Sequence, residues 1–311
     1  MKKAIKNILT WTALTVGGLH VANIIIENHA TRHHLLDTKT GHFYKFRYGN
    51  IYYEKHGFGA PIVLIHNLAP ESSGVEWSKI VHQLSKTNTV YVIDLLGCGR
   101  SDKPALTYTN FMYVCALNEF LSEVVGKKAS VITSGRSSTI ALMETLMEES
   151  FIEKLILINP TGTETNNLLL NEPKRIMTVL YNIPIIGTYL YNVAMRRSYI
   201  LGRCSSDYCT KKYYITQDMI NAYYEACHLN KCNGKYLYAS LASEYLNVDV
   251  KNAVKNLNIP LLIISGKNEN AYGSYESYKD DIHLIKMNDA TGMPHVELPR
   301  RTCDAITSFI N

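Results

Sequence analysis

From Phe43 onward, hydrophobic residues fall in short, mostly unbroken runs separated by longer stretches in which they recur every three or four positions. The runs are Pro61–His66, Thr89–Asp94, Ser130–Thr133, Lys154–Asn159, Pro260–Ser265 and His283–Met287. Continuous apolar character of this kind predicts parallel strands covered on both faces. Phe43–Tyr48 and Ile51–His56 predict a hairpin turning at Gly49-Asn50. Helices are predicted over Trp77–Ser85, Asn110–Val125 and Ser138–Glu149. Strands alternating with helices imply an α/β domain with a mostly parallel sheet, and the chain shows no internal repeat or low-complexity tract.

The amino terminus has a different pattern. Lys2, Lys3 and Lys6 precede a 19-residue run from Ile8 to Ile26 without a formal charge, close to the ~20 residues that span a bilayer. Thr10, Thr12, Thr15, His20 and Asn23 lower its hydrophobicity, and no small-x-small cleavage site follows. Residues 1–28 are therefore expected to be an uncleaved membrane anchor, with an amphipathic helix packed on a cytoplasmic body as the alternative. The lysines favour a cytoplasmic amino terminus and an extracytoplasmic body. Residues 29–42, with His29, Arg32, His33 and His34, read as a polar linker.

Composition narrows the function classes. With 46% hydrophobic and 19% charged residues the chain can bury a large core, which excludes disordered and collagen-like architectures. The net charge of +5 comes without a dense basic block or a nucleic-acid-binding motif, so no nucleic-acid partner is expected. Seven cysteines without a CxxC pair or zinc-type spacing indicate neither a disulfide scaffold nor a metal site, and no cofactor is expected. Cys204 with Cys209 and Cys227 with Cys232 are close enough in sequence to pair, but spacing alone does not decide it.

Asp94-Leu-Leu-Gly-Cys-Gly-Arg-Ser-Asp-Lys-Pro104 resembles the D-x-x-G-x-G-x-S-x-x-P turn of the α/β-hydrolase superfamily. Ile65-His66, Trp77, Pro260 with Gly266, and Pro294-His295-Val296-Glu297-Leu298-Pro299 follow the same family order. The resemblance covers roughly residues 43–311. It implies a mostly parallel sheet with helices on both faces, a core from residues 43–162 and 259–311, and a helical cap over residues 163–258. The cap is rich in tyrosine and aliphatics, from Val179 through Tyr191 to Tyr236 and Tyr238. A pocket beneath it would favour a small lipophilic ligand with one or two polar handles.

In such a fold the family activity, hydrolysis of ester-like bonds, needs a nucleophile on the elbow after a strand, a later acid, and a histidine after the last strand. Aligning Thr133-Ser-Gly-Arg-Ser137 with the family's G-H-S-M-G puts Gly135 at the nucleophile. Thr291-Gly-Met-Pro-His-Val-Glu297 puts Gly292 at the base, while Glu269 holds the acid position. The oxyanion region reads His66, Asn67 and Leu68. Glycine at both positions implies a noncatalytic or weakly active ligand-binding protein, because a lone carboxylate cannot perform acyl transfer. The alternative is an active serine hydrolase using Ser137 with His295 and Glu269, which requires both loops to shift. Arg136, beside the elbow amide, is a candidate for holding a carboxylate ligand at the helix amino terminus. On this alignment, Gly135→Ser with Gly292→His would restore a hydroxyl beside an imidazole.

Overall fold

The computed structural model describes residues 2–147, 149–163, 172–209, 214–267 and 273–311. At its centre is an eight-stranded sheet in the order β1-β2-β4-β3-β5-β6-β7-β8. The strands are β1 (Gly41–Phe46), β2 (Gly49–His56), β3 (Ala60–Ile65), β4 (Asn88–Ile93), β5 (Ala129–Ser134), β6 (Ile152–Ile158), β7 (Leu261–Ser265) and β8 (His283–Lys286). β2 is antiparallel to both its neighbours, and every pair from β4 to β8 is parallel. Strand β4 lies on one side of β3 and β5 on the other, so the chain reverses its direction of travel across the sheet there. The carboxyl ends of β3 and β5 flank the resulting crevice, the place where open α/β sheets hold ligands.

The unbroken apolar runs are explained by burial on both faces. Ile62 and Leu64 of β3 pack with Trp77 and Ile80, whereas Val63 and Ile65 join Leu117 and Phe120 on the other side. Each such side chain contributes about 1.5–3 kcal/mol when fully buried.

The helices are α1 (Lys2–Thr31), α2 (Ser78–Leu84), α3 (Asn110–Phe120), α4 (Ser137–Glu144), α5 (Glu172–Asn182), α6 (Ile186–Ala194), α7 (Arg197–Arg203), α8 (Gln217–Cys232), α9 (Gly234–Ala242), α10 (Lys251–Lys255), α11 (Gly273–Glu276), α12 (Pro294–Glu297) and α13 (Pro299–Ile310). Among the described residues six of them, α5 to α10, lie between β6 and β7. Thr109 caps α3 by accepting the Met112 N–H, and a π turn over Leu121–Val125 continues that helix to Gly126.

Two local expectations change. The hairpin turns at Arg47-Tyr48, not Gly49-Asn50, because Asn50 is held in β2: its N–H donates to Asp102 Oδ2 at 2.7 Å, and its carbonyl accepts from Asp102 N at 3.0 Å. The helix expected to reach Glu149 stops at Glu144. The Glu144 carboxylate accepts from Asn118 Nδ2, Ser150 Oγ and Phe151 N, which turns the chain back toward β6. All seven cysteines are free, so neither Cys204 with Cys209 nor Cys227 with Cys232 forms a disulfide.

Asp94 shows what the glycine-rich turn after β4 does. The Arg100 guanidinium grips its carboxylate through Nε at 2.7 Å and Nη2 at 3.1 Å, and Gly74 N donates to Oδ1 at 2.6 Å. Burial pushes the carboxyl up, but Arg100 more than reverses this and holds it below the usual range. Arg100 also reaches Glu54 at 2.5 Å and lies over the Tyr52 ring, which ties the turn to β2.

Helix α1 runs unbroken to Thr31, and its apolar window has a mean hydropathy of 1.5. It is long and apolar enough to cross a membrane, as an anchor or a signal sequence is. The Thr10 and Thr15 hydroxyls donate to the carbonyls of Lys6 and Trp11 at 2.9 Å, so neither leaves an unsatisfied donor.

Candidate functional site

β5 ends at Ser134 and α4 begins at Ser137, so the strand-to-helix turn consists of Gly135 and Arg136. Gly135 has φ +54°, a left-handed conformation that glycine adopts without steric cost. Facing it is Asn67, just beyond β3. The Asn67 side-chain oxygen accepts the Arg136 N–H at 3.0 Å. That amide follows the elbow residue and is the donor that would stabilise an oxyanion in acyl transfer. A Cβ placed on Gly135 would lie 2.4 Å from Asn67 Oδ1. The elbow is thus covered by an asparagine that occupies its amide. Leu68 lines the adjoining cavity.

Asn67 is itself held by Glu76, a residue the sequence reading did not single out. The buried Glu76 carboxylate accepts from Asn67 N at 3.1 Å and from the Ser134 hydroxyl, and His295 Nε2 lies 3.0 Å from its Oε1. Burial pushes the Glu76 carboxyl up, but His295 and the hydrogen bond from Ser134 outweigh it and keep it below its ordinary range. The His295 ring stacks on Trp77 with centroids 4.4 Å apart. The only sequence signal was the position of Glu76 next to Trp77; a single acid in a helical turn has no spacing to mark it.

Ser137 and His295 are engaged separately. Ser137 Oγ is buried in the first turn of α4 and donates to the His66 carbonyl at 2.5 Å. His66 Nε2 accepts Leu95 N–H at 3.0 Å, which leaves Nδ1 to donate to the Asn67 carbonyl at 2.8 Å. Ser137 and His295, paired in the alternative reading, thus have different partners here. Glu269 lies outside the described residues.

The loop after β8 is equally crowded. A Cβ on Gly292 would lie 1.7 Å from the Asp207 carbonyl oxygen, in the π turn that follows α7. Met293 N donates to the Tyr208 carbonyl at 3.0 Å, fixing the loop against this turn. The space assumed for a histidine at 292 is filled by backbone.

Between the sheet and helices α5 to α9 is a cavity of about 490 Å³, lined by Asn67, Ser134, Gly135, Arg136, Gly292 and aromatic residues including Tyr199 and Tyr238. Arg203 enters it with its charge compensated. Its Nε is 3.1 Å from Asp207 and 3.8 Å from Glu71, and its Nη2 donates to Tyr208 OH, which in turn donates to Glu71 at 2.8 Å. Arg136 Nη1 donates to the neutral Asn247 side chain at 3.2 Å. Burial and then the charge of Arg203 lower its pKa, with Glu244 opposing them. The cavity presents two guanidinium groups beside apolar and aromatic walls. Among the described residues no cluster of His, Cys, Asp and Glu is arranged to hold a metal ion.

No family model matches the chain. The 2-hydroxy-6-oxo-6-(2'-aminophenyl)hexa-2,4-dienoic acid hydrolase of Metapseudomonas resinovorans is 26% identical over 113 residues, 35% of this chain and 39% of that protein. An uncharacterized protein of Mycobacterium bovis is 27% identical over 106 residues, so the match spans less than a third of that relative, 30% of its length. Among solved structures, a serine hydrolase involved in carbazole degradation superposes with a TM-score of 0.69 at 18% identity, covering 87% of this chain and 98% of its own. A membrane phospholipase A described as a bacterial virulence factor superposes with a TM-score of 0.69 at 14% identity, covering 100% of this chain and 98% of its own.

Proposed function

We propose that this chain, which has the α/β-hydrolase fold, is a membrane-anchored protein that binds a small lipophilic anion in its capped cavity without hydrolysing it. The observation that carries the reading is Asn67: its side-chain oxygen occupies the elbow amide and the space in front of Gly135. A substrate oxyanion would have to displace this internal acceptor, and neither glycine supplies a nucleophile or a base. What remains is a cavity within the ~300–1,000 Å³ of small-molecule pockets, with apolar walls for a chain and Arg136 for an anionic end. The superposition with a membrane phospholipase A over the whole chain fits a lipid-like ligand and an amino-terminal helix used as an anchor, with the lysines on its cytoplasmic side.

One further serine lines the cavity. Ser134 donates to Glu76, which contacts His295, so a hydroxyl, a carboxylate and an imidazole stand in a row. Glu76 is a weak base because its carboxyl is held below the ordinary range. The test treats purified full-length protein with a fluorophosphonate probe and, separately, titrates it with dodecanoate and with dodecanol while following thermal unfolding. The expected results are no adduct and stabilisation by dodecanoate in preference to dodecanol. Arg136→Gln should weaken dodecanoate roughly tenfold or more, the worth of one charge-assisted hydrogen bond. An adduct mapped to Ser134 or Ser137 would overturn the noncatalytic reading.

A further inference from the structure

Among the described residues of the helices between β6 and β7, exposed aliphatics cluster on α5 and α6. Helices α5 and α6 meet at 108° around Ile183-Pro184-Ile185, and together they are apolar enough to form a broken span or a re-entrant hairpin. Ile176 and Val179 on α5, Ile186, Leu190 and Val193 on α6, and Leu201 on α7 all face outward. Single exposed aliphatics are ordinary, but a set shared by the adjoining helices α5 and α6 marks an interaction surface.

Helix α1 identifies what covers it. Asn23 is the first buried residue of that helix: its Nδ2 donates to the Ile185 carbonyl at 3.0 Å, and its Oδ1 accepts from Asn192 of α6 at 3.0 Å. Glu27 adds a tie by accepting Lys231 N–H at 2.8 Å. Before Asn23 the helix leaves the body, with Trp11 70% exposed and nothing within 4 Å of a Cβ on Gly17 or Gly18. Residues 3–22 form a rod of about 30 Å, the thickness of a bilayer's hydrocarbon core, exposed but for half-buried Val16, Leu19 and Ala22. If that rod crosses the bilayer, the α5–α6 bend to which its end is bonded must lie at the lipid surface. Arg196 and Arg197 are exposed at the end of this corner and donate to a carbonyl and to neutral side chains, Val193 O and Asn221 Oδ1. Cations placed this way suit anionic headgroups.

We infer that the α5–α6 corner is a second membrane contact, seated in the headgroup and upper acyl region of the leaflet from which α1 emerges. This rests on the anchor reading of α1 proposed above. The two contacts fix the body's orientation, with the cavity wall formed by Met195, Tyr199 and Arg203 next to the lipid surface. A lipophilic ligand then passes between leaflet and cavity over a short path.

Nitroxide labels on full-length protein test it. Cys115 is the only cysteine that is not buried, so single cysteines are introduced in a Cys115→Ser background as Ile186→Cys, Leu190→Cys and, for a water-exposed reference, Phe58→Cys. Each protein is reconstituted in phosphatidylcholine and phosphatidylglycerol vesicles, checked by flotation, and probed with oxygen and a water-soluble nickel chelate. Labels at 186 and 190 should be relaxed mainly by oxygen, and the label at 58 mainly by nickel. Protein that does not float would remove the anchor reading and this inference together. Floating protein with labels at 186 and 190 as nickel-accessible as the reference would overturn the inference alone. Dipolar broadening at these positions that disappears on dilution with unlabelled protein would also overturn it, by showing that a second copy covers the face.

Discussion

Asn67 Oδ1 stands where a side chain on Gly135 would have to begin, 2.4 Å from an ideal Cβ, while accepting the Arg136 N–H at 3.0 Å. The two residues form one unit: the glycine makes room for the asparagine, and the asparagine satisfies the amide that the turn exposes. Gly135→Ser must therefore both adopt a positive φ, at a cost on the order of 1–3 kcal/mol, and push the Asn67 side chain aside. Adding Asn67→Gly should recover the steric part but not the backbone part. In urea denaturation the double variant should lie between the wild type and Gly135→Ser. A Gly135→Ser protein as stable as the wild type would mean that this packing is not present in solution.

Gly292 is a harder constraint, because the atom facing it is backbone. An asparagine side chain can rotate, but the Asp207 carbonyl oxygen, 1.7 Å from a new Cβ, cannot make way without displacing the π turn and the Met293 to Tyr208 hydrogen bond. Gly292→His should cost roughly 3 kcal/mol, the upper end for overpacking. It should also loosen the cavity wall, read as faster amide exchange over residues 204–208. For the same reason Gly135→Ser combined with Gly292→His should remain unlabelled by a fluorophosphonate. Labelling at residue 135 in a folded double variant would refute this.

The elements that sequence pattern exposed are those whose burial is uniform. Ile62 to Ile65 and Leu155 to Ile158 are wholly buried, so every position is apolar and the strand is visible without a partner. The order of motifs around Asp94 and Pro294 was enough to indicate the sheet. What pattern does not encode is the contact across loops. Asn67 read only as part of the oxyanion region, and its bond to Arg136 joins residues far apart in sequence. Glu76 carried no periodic signal, although it holds Asn67, Ser134 and His295 together. Gly49-Asn50 was a sound turn dipeptide, overridden by hydrogen bonds to Asp102 that only the folded chain supplies.

His228 gives the molecule a pH dependence with a defined sign. Its ring is buried at the end of the regular part of α8, with Nδ1 bonded to the Tyr224 carbonyl at 2.7 Å and Nε2 without a hydrogen-bond partner among the described residues. Burial lowers its pKa to about 4, only partly opposed by that carbonyl. Between pH ~6.5 and ~4 the unfolded chain binds a proton that the folded protein refuses, so stability falls as pH drops through this window. Glu76 and Asp94, held below the usual carboxylate range, lose their contributions at still lower pH. From pH 7 to pH 5 the histidine's share is at most about 2 kcal/mol, at ~1.4 kcal/mol per pH unit. His228→Phe keeps an aromatic ring of similar bulk and cannot titrate. Its unfolding free energy in urea should therefore change less between these two pH values than the wild type's, by up to that amount. Parallel pH profiles for the two proteins would show that His228 is accessible to protons in the folded state.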